Sequence, residues 1–264
     1  MKRMDEYAVS TWLYESRPLE EALGKIAAAG FGKVELWANR VHLDPRLGVD
    51  LSRVKRSLGE AGLMVHSVHA PFDDIGAIDG RFFAAWRDLL ERSLDLCADL
   101  GSTLMVVHVL NRHEYDWGAR EEGAMHDFFA SLAVSAGGRG IKILLENLAD
   151  GPDSTAFRCS ISNLARVFGD LDIGYCIDIG HSPLCEEGVL EAIAAAGDRL
   201  MSVHVNNNDG VHDLHNPPDE GLLDWPAIRE RMRQAGYEGD FVLEVAGHGT
   251  PDSLLAHLAA CSQP

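Results

Sequence analysis

The chain has 264 residues, of which 46% are hydrophobic, a proportion typical of a folded globular protein with a large core. Its 41 acidic residues against 23 Lys and Arg give a formal net charge of −18, so a nucleic acid partner is not expected. The five cysteines form no C-x-x-C pair, and the sequence has no run of about 18 apolar residues. We therefore expect a cytoplasmic protein with reduced thiols and no membrane partner.

Short apolar runs alternate with stretches of helical periodicity, as in parallel strands joined by crossover helices. The predicted strands are Tyr7–Leu13, Lys33–Leu36, Met64–His69, Leu104–Val109, Lys142–Glu146, Gly174–Asp178, Met201–Val205 and Phe241–Val245. The predicted helices are Leu19–Ala29, Leu51–Ala61, Phe82–Leu100, Met125–Ala136, Ile161–Phe168, Val189–Ala196, Trp225–Ala235 and Ser253–Ala260. This order predicts an α/β fold, a (β/α)8 TIM barrel that forms a single domain over residues 1–264. An open doubly wound sheet is the alternative, but its G-x-G-x-x-G fingerprint is absent after the first strand.

Ionisable side chains occupy the carboxyl ends of six consecutive predicted strands, which is the end of a barrel where active sites form. They are His69, His108, Glu146, Asp178 with the following His181, His204 and Glu244. For any one of them a hydrogen-bonded interior residue is the simpler interpretation, but several buried carboxylates repel one another unless a cation lies between them. Neighbouring strands provide Glu146, Asp178, His204 and Glu244. We predict that these four hold one divalent ion, Mn²⁺, Zn²⁺, Co²⁺ or Mg²⁺.

The loop after strand seven, HVNNNDGVHDLHNPPDEGLLDWPAI, is dense in Asn, Asp and His. Asp213 and His215 stand in a D-x-H arrangement that, with His181, predicts a further oxygen and nitrogen cluster. The alternative is a surface loop in which these side chains are only solvated.

Taken together, the segments VELW, HAPF, VVH, LLEN, CIDIGH, HVNNNDGVHDLHNPPDEGLLDW and FVLEV resemble the xylose isomerase-like barrels. That superfamily includes sugar isomerases and epimerases and the apurinic endonucleases of the endonuclease IV type. The resemblance implies that Glu146, Asp178, His204 and Glu244 hold one metal and that the two glutamates exchange protons with substrate. In the endonuclease branch it implies up to three metals, with His69 and His108 joining Glu146, and His181, Asp213 and His215 holding the third.

The leading hypothesis is isomerisation or epimerisation of a small sugar or keto-polyol, in which Glu146 and Glu244 act as base and acid beside a metal-polarised carbonyl. Glu35 and Trp37, at the end of strand two, are predicted to contact the far end of the sugar, with rim packing and a solvated charge as the alternative. His181 is expected to orient a substrate hydroxyl, and the protein to be compatible with a homo-oligomer.

Three other functions fit the same residues. An endonuclease acting on abasic DNA is supported by the full set of metal ligands, but Val203 to Asp219 contains no Lys or Arg to grip a polyanion. A dehydratase of a hydroxyketone would use the same metal and the same proton abstraction. A barrel that binds a ligand without turnover fits least well with so many ionisable strand ends.

Overall fold

The computed structural model describes residues 4–39, 41–72, 82–109, 119–149 and 157–262. Eight parallel strands in these ranges form a closed barrel in which each strand pairs with the next and the last pairs with the first. The strands are β1 Tyr7–Ser10, β2 Lys33–Trp37, β3 Met64–His69, β4 Leu104–His108, β5 Lys142–Glu146, β6 Gly174–Asp178, β7 Leu200–Val205 and β8 Phe241–Leu243. The α-helices are α1 Leu19–Ala28, α2 Leu51–Ala61, α3 Phe82–Leu100, α4 Ala119–Gly137, α5 Ile161–Phe168, α6 Val189–Ala196, α7 Trp225–Gln234 and α8 Pro251–Cys261. The predicted TIM barrel is confirmed.

The first strand is shorter than predicted, because it ends at Ser10 and a 3₁₀ helix follows over Thr11–Tyr14. The Ser10 hydroxyl accepts a hydrogen bond from the Trp12 backbone N–H at 3.4 Å. The Thr11 hydroxyl accepts one from the Trp37 backbone N–H at 2.9 Å. These side chain to backbone bonds offer the chain an alternative to the strand ladder, so it turns after four residues.

Helix α4 begins at Ala119, six residues before the predicted start at Met125. Apolar periodicity begins only at Met125, which is fully buried, whereas Glu121 and Glu122 are partly exposed and Gly123 and Ala124 are exposed. Glu122 is held by Arg166 of α5 at 2.6 Å. A helix end without a buried face leaves no apolar period in the sequence. Strand β8 also ends two residues early, and the remaining boundaries agree with prediction to within two residues.

Alternate strand residues point into the barrel, and the inner face changes character along its axis. Val106, Leu144 and Cys176 form a small apolar layer on β4, β5 and β6. Two residues further along the same strands stand His108, Glu146 and Asp178. Because side chains alternate with a period of two, the ionisable residues lie on the same inner face, directly above this apolar layer.

Gly174 is the first residue of β6 and pairs with Leu144 of the apolar layer. A Cβ atom there would lie 2.7 Å from both the Leu144 Cδ2 atom and the Met201 sulfur. A larger residue would therefore require the ends of these two side chains to move.

In the described part of the chain no disulfide joins two of the five cysteines. Within the described ranges no helix combines the length and apolar character needed to cross a membrane.

The aromatic packing between α3, α4 and α5 predicts a measurable contribution to stability. Phe129 is fully buried and its ring meets those of Trp86 and Phe168 edge to face, at centroid distances of 5.8 and 5.4 Å. Phe129→Ala should lower the free energy of unfolding by about 3–5 kcal/mol, measured by chemical denaturation. Val134→Ala, on the same helix at a side chain that is 77% exposed, is the control and should change it little. Equal effects of the two substitutions would contradict this packing.

Candidate active site

The carboxyl ends of the strands enclose a cavity of about 290 Å³. Strand register brings its polar residues level with one another, since His108 pairs with Glu146 and Asp178 pairs with His204. The lining residues are Trp12, Trp37, His69, Phe72, His108, Glu146, Leu148, Ala149, His181, Asp213, His215 and Glu244.

The four residues predicted to hold one metal meet at the floor of this cavity. Glu146, Asp178, His204 and Glu244 are all buried and offer ligand atoms that lie within 4.8 Å of one another. The Nδ1 atom of His204 lies 3.0 Å from Glu146 Oε1 and 2.9 Å from Glu244 Oε2. The structure thus brings together side chains from β5, β6 and β7 and from the residue that follows β8.

The electrostatics of this group centre on His204. Burial disfavours the charged ring, but the surrounding acidic groups outweigh burial and raise its pKa well above the usual value. Burial likewise opposes ionisation of Glu146 and Glu244, yet His204 holds the pKa of Glu146 well below its ordinary value and that of Glu244 at about 2. Burial raises the pKa of Asp178 to about 6. Buried acids around one imidazole form a negative site that a divalent cation would stabilise.

A second group shares Glu146. The Nε2 atoms of His69 and His108 each lie 3.2 Å from Glu146 Oε2. His69 donates its Nδ1 proton to the Ala70 carbonyl at 2.9 Å, so Nε2 is the nitrogen that the neutral ring would offer to a metal. Burial opposes the charged ring, but the Glu146 carboxylate outweighs burial and raises the pKa of His69. Burial lowers the pKa of His108, which favours its neutral, ligating form.

A third group shares Asp178 and includes His181 and His215. The Nδ1 atom of His181 donates to the Asn147 carbonyl at 2.8 Å, and Nδ1 of His215 donates to the Glu244 carbonyl at 3.0 Å. Their Nε2 atoms lie 3.4 and 3.3 Å from the carboxylate oxygens of Asp213. Asp213 and His215 therefore face the cavity with His181, and the alternative of a merely solvated loop does not describe them. His215 also has a positive φ of 46°, a strained conformation that its hydrogen bonds maintain.

Glu35 and Trp37 are both predicted to contact the substrate from the end of strand two, but they lie at different depths in the barrel. Trp37 lines the cavity, with its ring 5.7 Å from Trp12 and 5.8 Å from Phe72. Glu35 is completely buried beneath the cavity floor and does not line the cavity wall. The structure therefore does not support the predicted contact between Glu35 and substrate. Its Oε2 atom accepts from the Ser67 hydroxyl at 2.8 Å and lies 3.1 Å from His204 Nε2.

Glu35 contacts His204, one of the four residues predicted to hold the metal, and does not face the cavity. A carboxylate that accepts the Nε2 proton of His204 fixes the ring so that Nδ1 faces Glu146 and Glu244. Such carboxylate to histidine bonds set the tautomer and raise the basicity of metal-ligating imidazoles.

Asparagine side chains that the sequence interpretation did not select hold Asp178 in place. The Asn206 amide donates to both carboxylate oxygens of Asp178, at 3.0 and 2.8 Å. Asn147 accepts from the Asp178 backbone N–H at 2.9 Å and donates to its carbonyl at 3.1 Å. The sequence did offer a clue to both amides. Asn147 directly follows Glu146 in LLEN, and Asn206 lies two residues after His204 in HVNNN. Phe72 was also missed, and its ring stacks on His108 at 4.4 Å.

Comparisons with known proteins agree with the barrel fold. Residues 23–262 match a family model described as xylose isomerase-like TIM barrel. The chain is 27% identical over 244 residues to the uncharacterized protein y4fM of Sinorhizobium fredii, covering 83% of this chain and 78% of that one. It is 27% identical over 196 residues to a probable endonuclease 4 of Mycobacterium leprae, covering 71% and 75%. A solved D-tagatose 3-epimerase-like protein matches with a TM-score of 0.77 at 19% identity, covering 97% and 98%, which shows a shared fold.

The Glu35 contact predicts an effect on metal affinity. Glu35→Gln removes the negative charge beside His204 Nε2 and should weaken divalent metal binding about ten- to hundredfold while the barrel stays folded. Titration calorimetry measures the affinity and circular dichroism the fold. Glu60→Gln, at an exposed glutamate of α2, is the matched control. Unchanged affinity in Glu35→Gln would show that Glu35 does not orient the ligand.

The raised pKa of His204 predicts that metal binding depends on pH. Below that pKa the ring is protonated, and the proton on Nδ1 must leave before this nitrogen can bind a cation. Affinity should therefore rise with pH, by about tenfold per unit for each proton released, until the ring titrates. Calorimetry in buffers of different ionisation enthalpy counts the protons. A dissociation constant that does not change between acidic and alkaline buffer would contradict this charge state.

Proposed function

Since the chain belongs to the family of xylose isomerase-like TIM barrels, we propose that it is a divalent-metal-dependent isomerase or epimerase of a small sugar or keto-polyol. One observation carries the proposal. Of the four residues grouped at the floor, Glu146 and Glu244 line the cavity, whereas Asp178 and His204 are sealed beneath it. The two glutamates can therefore contact a bound substrate as well as a metal.

The donor set fits a divalent metal. Three carboxylates and one imidazole are ligands for Mn²⁺, Zn²⁺, Co²⁺ or Mg²⁺, and their close burial needs a compensating positive charge. Glu146, Asp178, His204 and Glu244 would hold the ion, which supplies Lewis-acid polarisation of a substrate carbonyl.

The glutamates would move the proton. Their carboxylates flank His204 Nδ1, at 3.0 and 2.9 Å, and approach the cavity from β5 and from the end of β8. One carboxylate takes the proton from the carbon next to the carbonyl, and the other returns a proton from the opposite side, which inverts that centre. Return to the adjacent carbon would give an isomer instead.

The cavity walls favour an uncharged substrate. Trp12, Trp37 and Phe72 provide aromatic surface on one side. Among the described residues that line the cavity there is no Lys or Arg, the side chains that most often bind a phosphate group. We therefore favour an unphosphorylated sugar.

A phosphodiester hydrolase acting on abasic DNA is the second candidate. Three overlapping groups of ligands, joined through Glu146 and Asp178, would accommodate three ions, and one relative is a probable endonuclease 4. The net charge of −18 opposes binding of a polyanionic duplex. Elemental analysis of the Cys261→Ser variant, whose substituted thiol lies outside the cavity, separates the two, since one ion per chain supports the sugar enzyme and three ions with cleavage of an abasic duplex support the hydrolase.

Solvent exchange tests the proton transfer. The metal-loaded protein, incubated with a panel of ketohexoses in deuterated water, should place deuterium on carbon next to the carbonyl, as measured by NMR. Glu146→Gln and Glu244→Gln should each lose turnover and the double variant should lose this exchange, because an amide can neither take up the proton nor return it. Glu186→Gln, at an exposed glutamate, should retain it. Exchange that survives both substitutions in protein of unchanged metal content would remove the glutamates from the mechanism.

A further inference from the structure

A separate group of metal-ligating side chains lies outside the cavity, between α8 and the loop from Val205 to Trp225. Asp219 of the loop meets His257 and Cys261 of α8, and their ligand atoms lie within 4.8 Å of one another. His257 Nε2 is 2.9 Å from Asp219 Oδ1, while Cys261 Sγ is 3.5 Å from Asp219 Oδ2 and 3.6 Å from His257 Nε2. Glu220 Oε1 lies 3.9 Å from the same nitrogen.

The local fold explains why these atoms converge. His257 and Cys261 are four residues apart, so they lie one turn apart on the same side of α8. The loop brings two consecutive acids to that side, with Asp219 and Glu220 partly exposed. Imidazole, thiolate and carboxylate are ligands that zinc accepts in a four-coordinate site.

An ordinary surface ion pair accounts for only part of this arrangement. It explains the contact between His257 and Asp219, which as an exposed pair would contribute little to stability. It does not explain why the Cys261 thiol lies against both partners of that pair.

We propose that Asp219, His257 and Cys261, with Glu220 beside them, form a second divalent metal site of the zinc class. The site is independent of the function proposed for the cavity, and its consequence is mechanical. The loop that it ties to α8 also carries Asp213 and His215, which face the cavity. A cation bound between Asp219 and α8 would therefore restrict the segment that positions those two side chains.

Cobalt(II) provides a probe that separates this site from the cavity, because a cobalt thiolate absorbs in the near ultraviolet and the cavity walls offer only nitrogen and oxygen ligands. Titration of the full chain with Co²⁺ should produce this charge-transfer band. Cys261→Ser should abolish it. Cys176→Ser and Cys185→Ser, the controls for the buried thiol near His204 and for the other partly exposed thiol, should retain it. Absence of the band, or a band that survives Cys261→Ser, would overturn the proposal.

Substitution of the partners tests whether a built site or a lone thiol binds the metal. His257→Ala and Asp219→Asn should each weaken the cobalt band, while His248→Ala, at a histidine that contacts the Leu214 carbonyl, should not. If neither substitution alters the titration, Cys261 reacts alone and no site exists. Hydrogen exchange of the loop should be slower in the cobalt-loaded protein than in cobalt-loaded Cys261→Ser, and equal rates would refute the link between this site and the loop.

Discussion

Charge compensation inside the barrel is the constraint on which the candidate site depends. Glu35, Glu146, Asp178 and Glu244 are almost fully buried around a single imidazole, that of His204. Buried carboxylates lose their hydration, so each one needs a partner with positive charge or a hydrogen bond donor. His204 meets this need with both ring nitrogens, one towards Glu35 and the other between Glu146 and Glu244. Any cation at the floor must enter this balance by displacing the proton that His204 carries.

Closure of the sheet makes that arrangement available. His204 and Glu35 are 169 residues apart and belong to β7 and β2, which are not neighbours in the barrel. Their contact crosses the interior, as does the contact of Glu146 on β5 with His69 on β3. An eight-stranded barrel is just wide enough for side chains to fill its interior, so opposite strands lie within side-chain reach. In an open sheet the same strand ends would lie in a row, and only adjacent ones would meet.

The strand order could be predicted from the sequence, as could the exact bounds of three strands and four helices. The group of ionisable residues at the strand ends could be predicted as well. Alternation along a strand identifies the face of a side chain, but it does not give the level that the side chain occupies along the barrel axis. That level depends on the stagger between strands, and the register of β2 against β3 shifts between Val34 and Glu35. Glu35 consequently lies beneath the floor although Trp37 reaches the cavity. The asparagines that hold Asp178 escaped notice for a different reason, because a polar loop has the same composition whether its amides face solvent or a buried carboxylate.

The depth of each residue divides the site into two levels with different freedom to change. Glu35, Asp178 and His204 are sealed by neighbouring side chains, and replacement of any of them would leave a buried group without its partner. Residues that face the cavity, among them His69 and His215, contact whatever molecule enters. A family can therefore retain the lower level while the upper level and the loops select a sugar in one member and a phosphodiester in another. In this chain the described part of the upper level joins imidazoles and carboxylates to an aromatic wall.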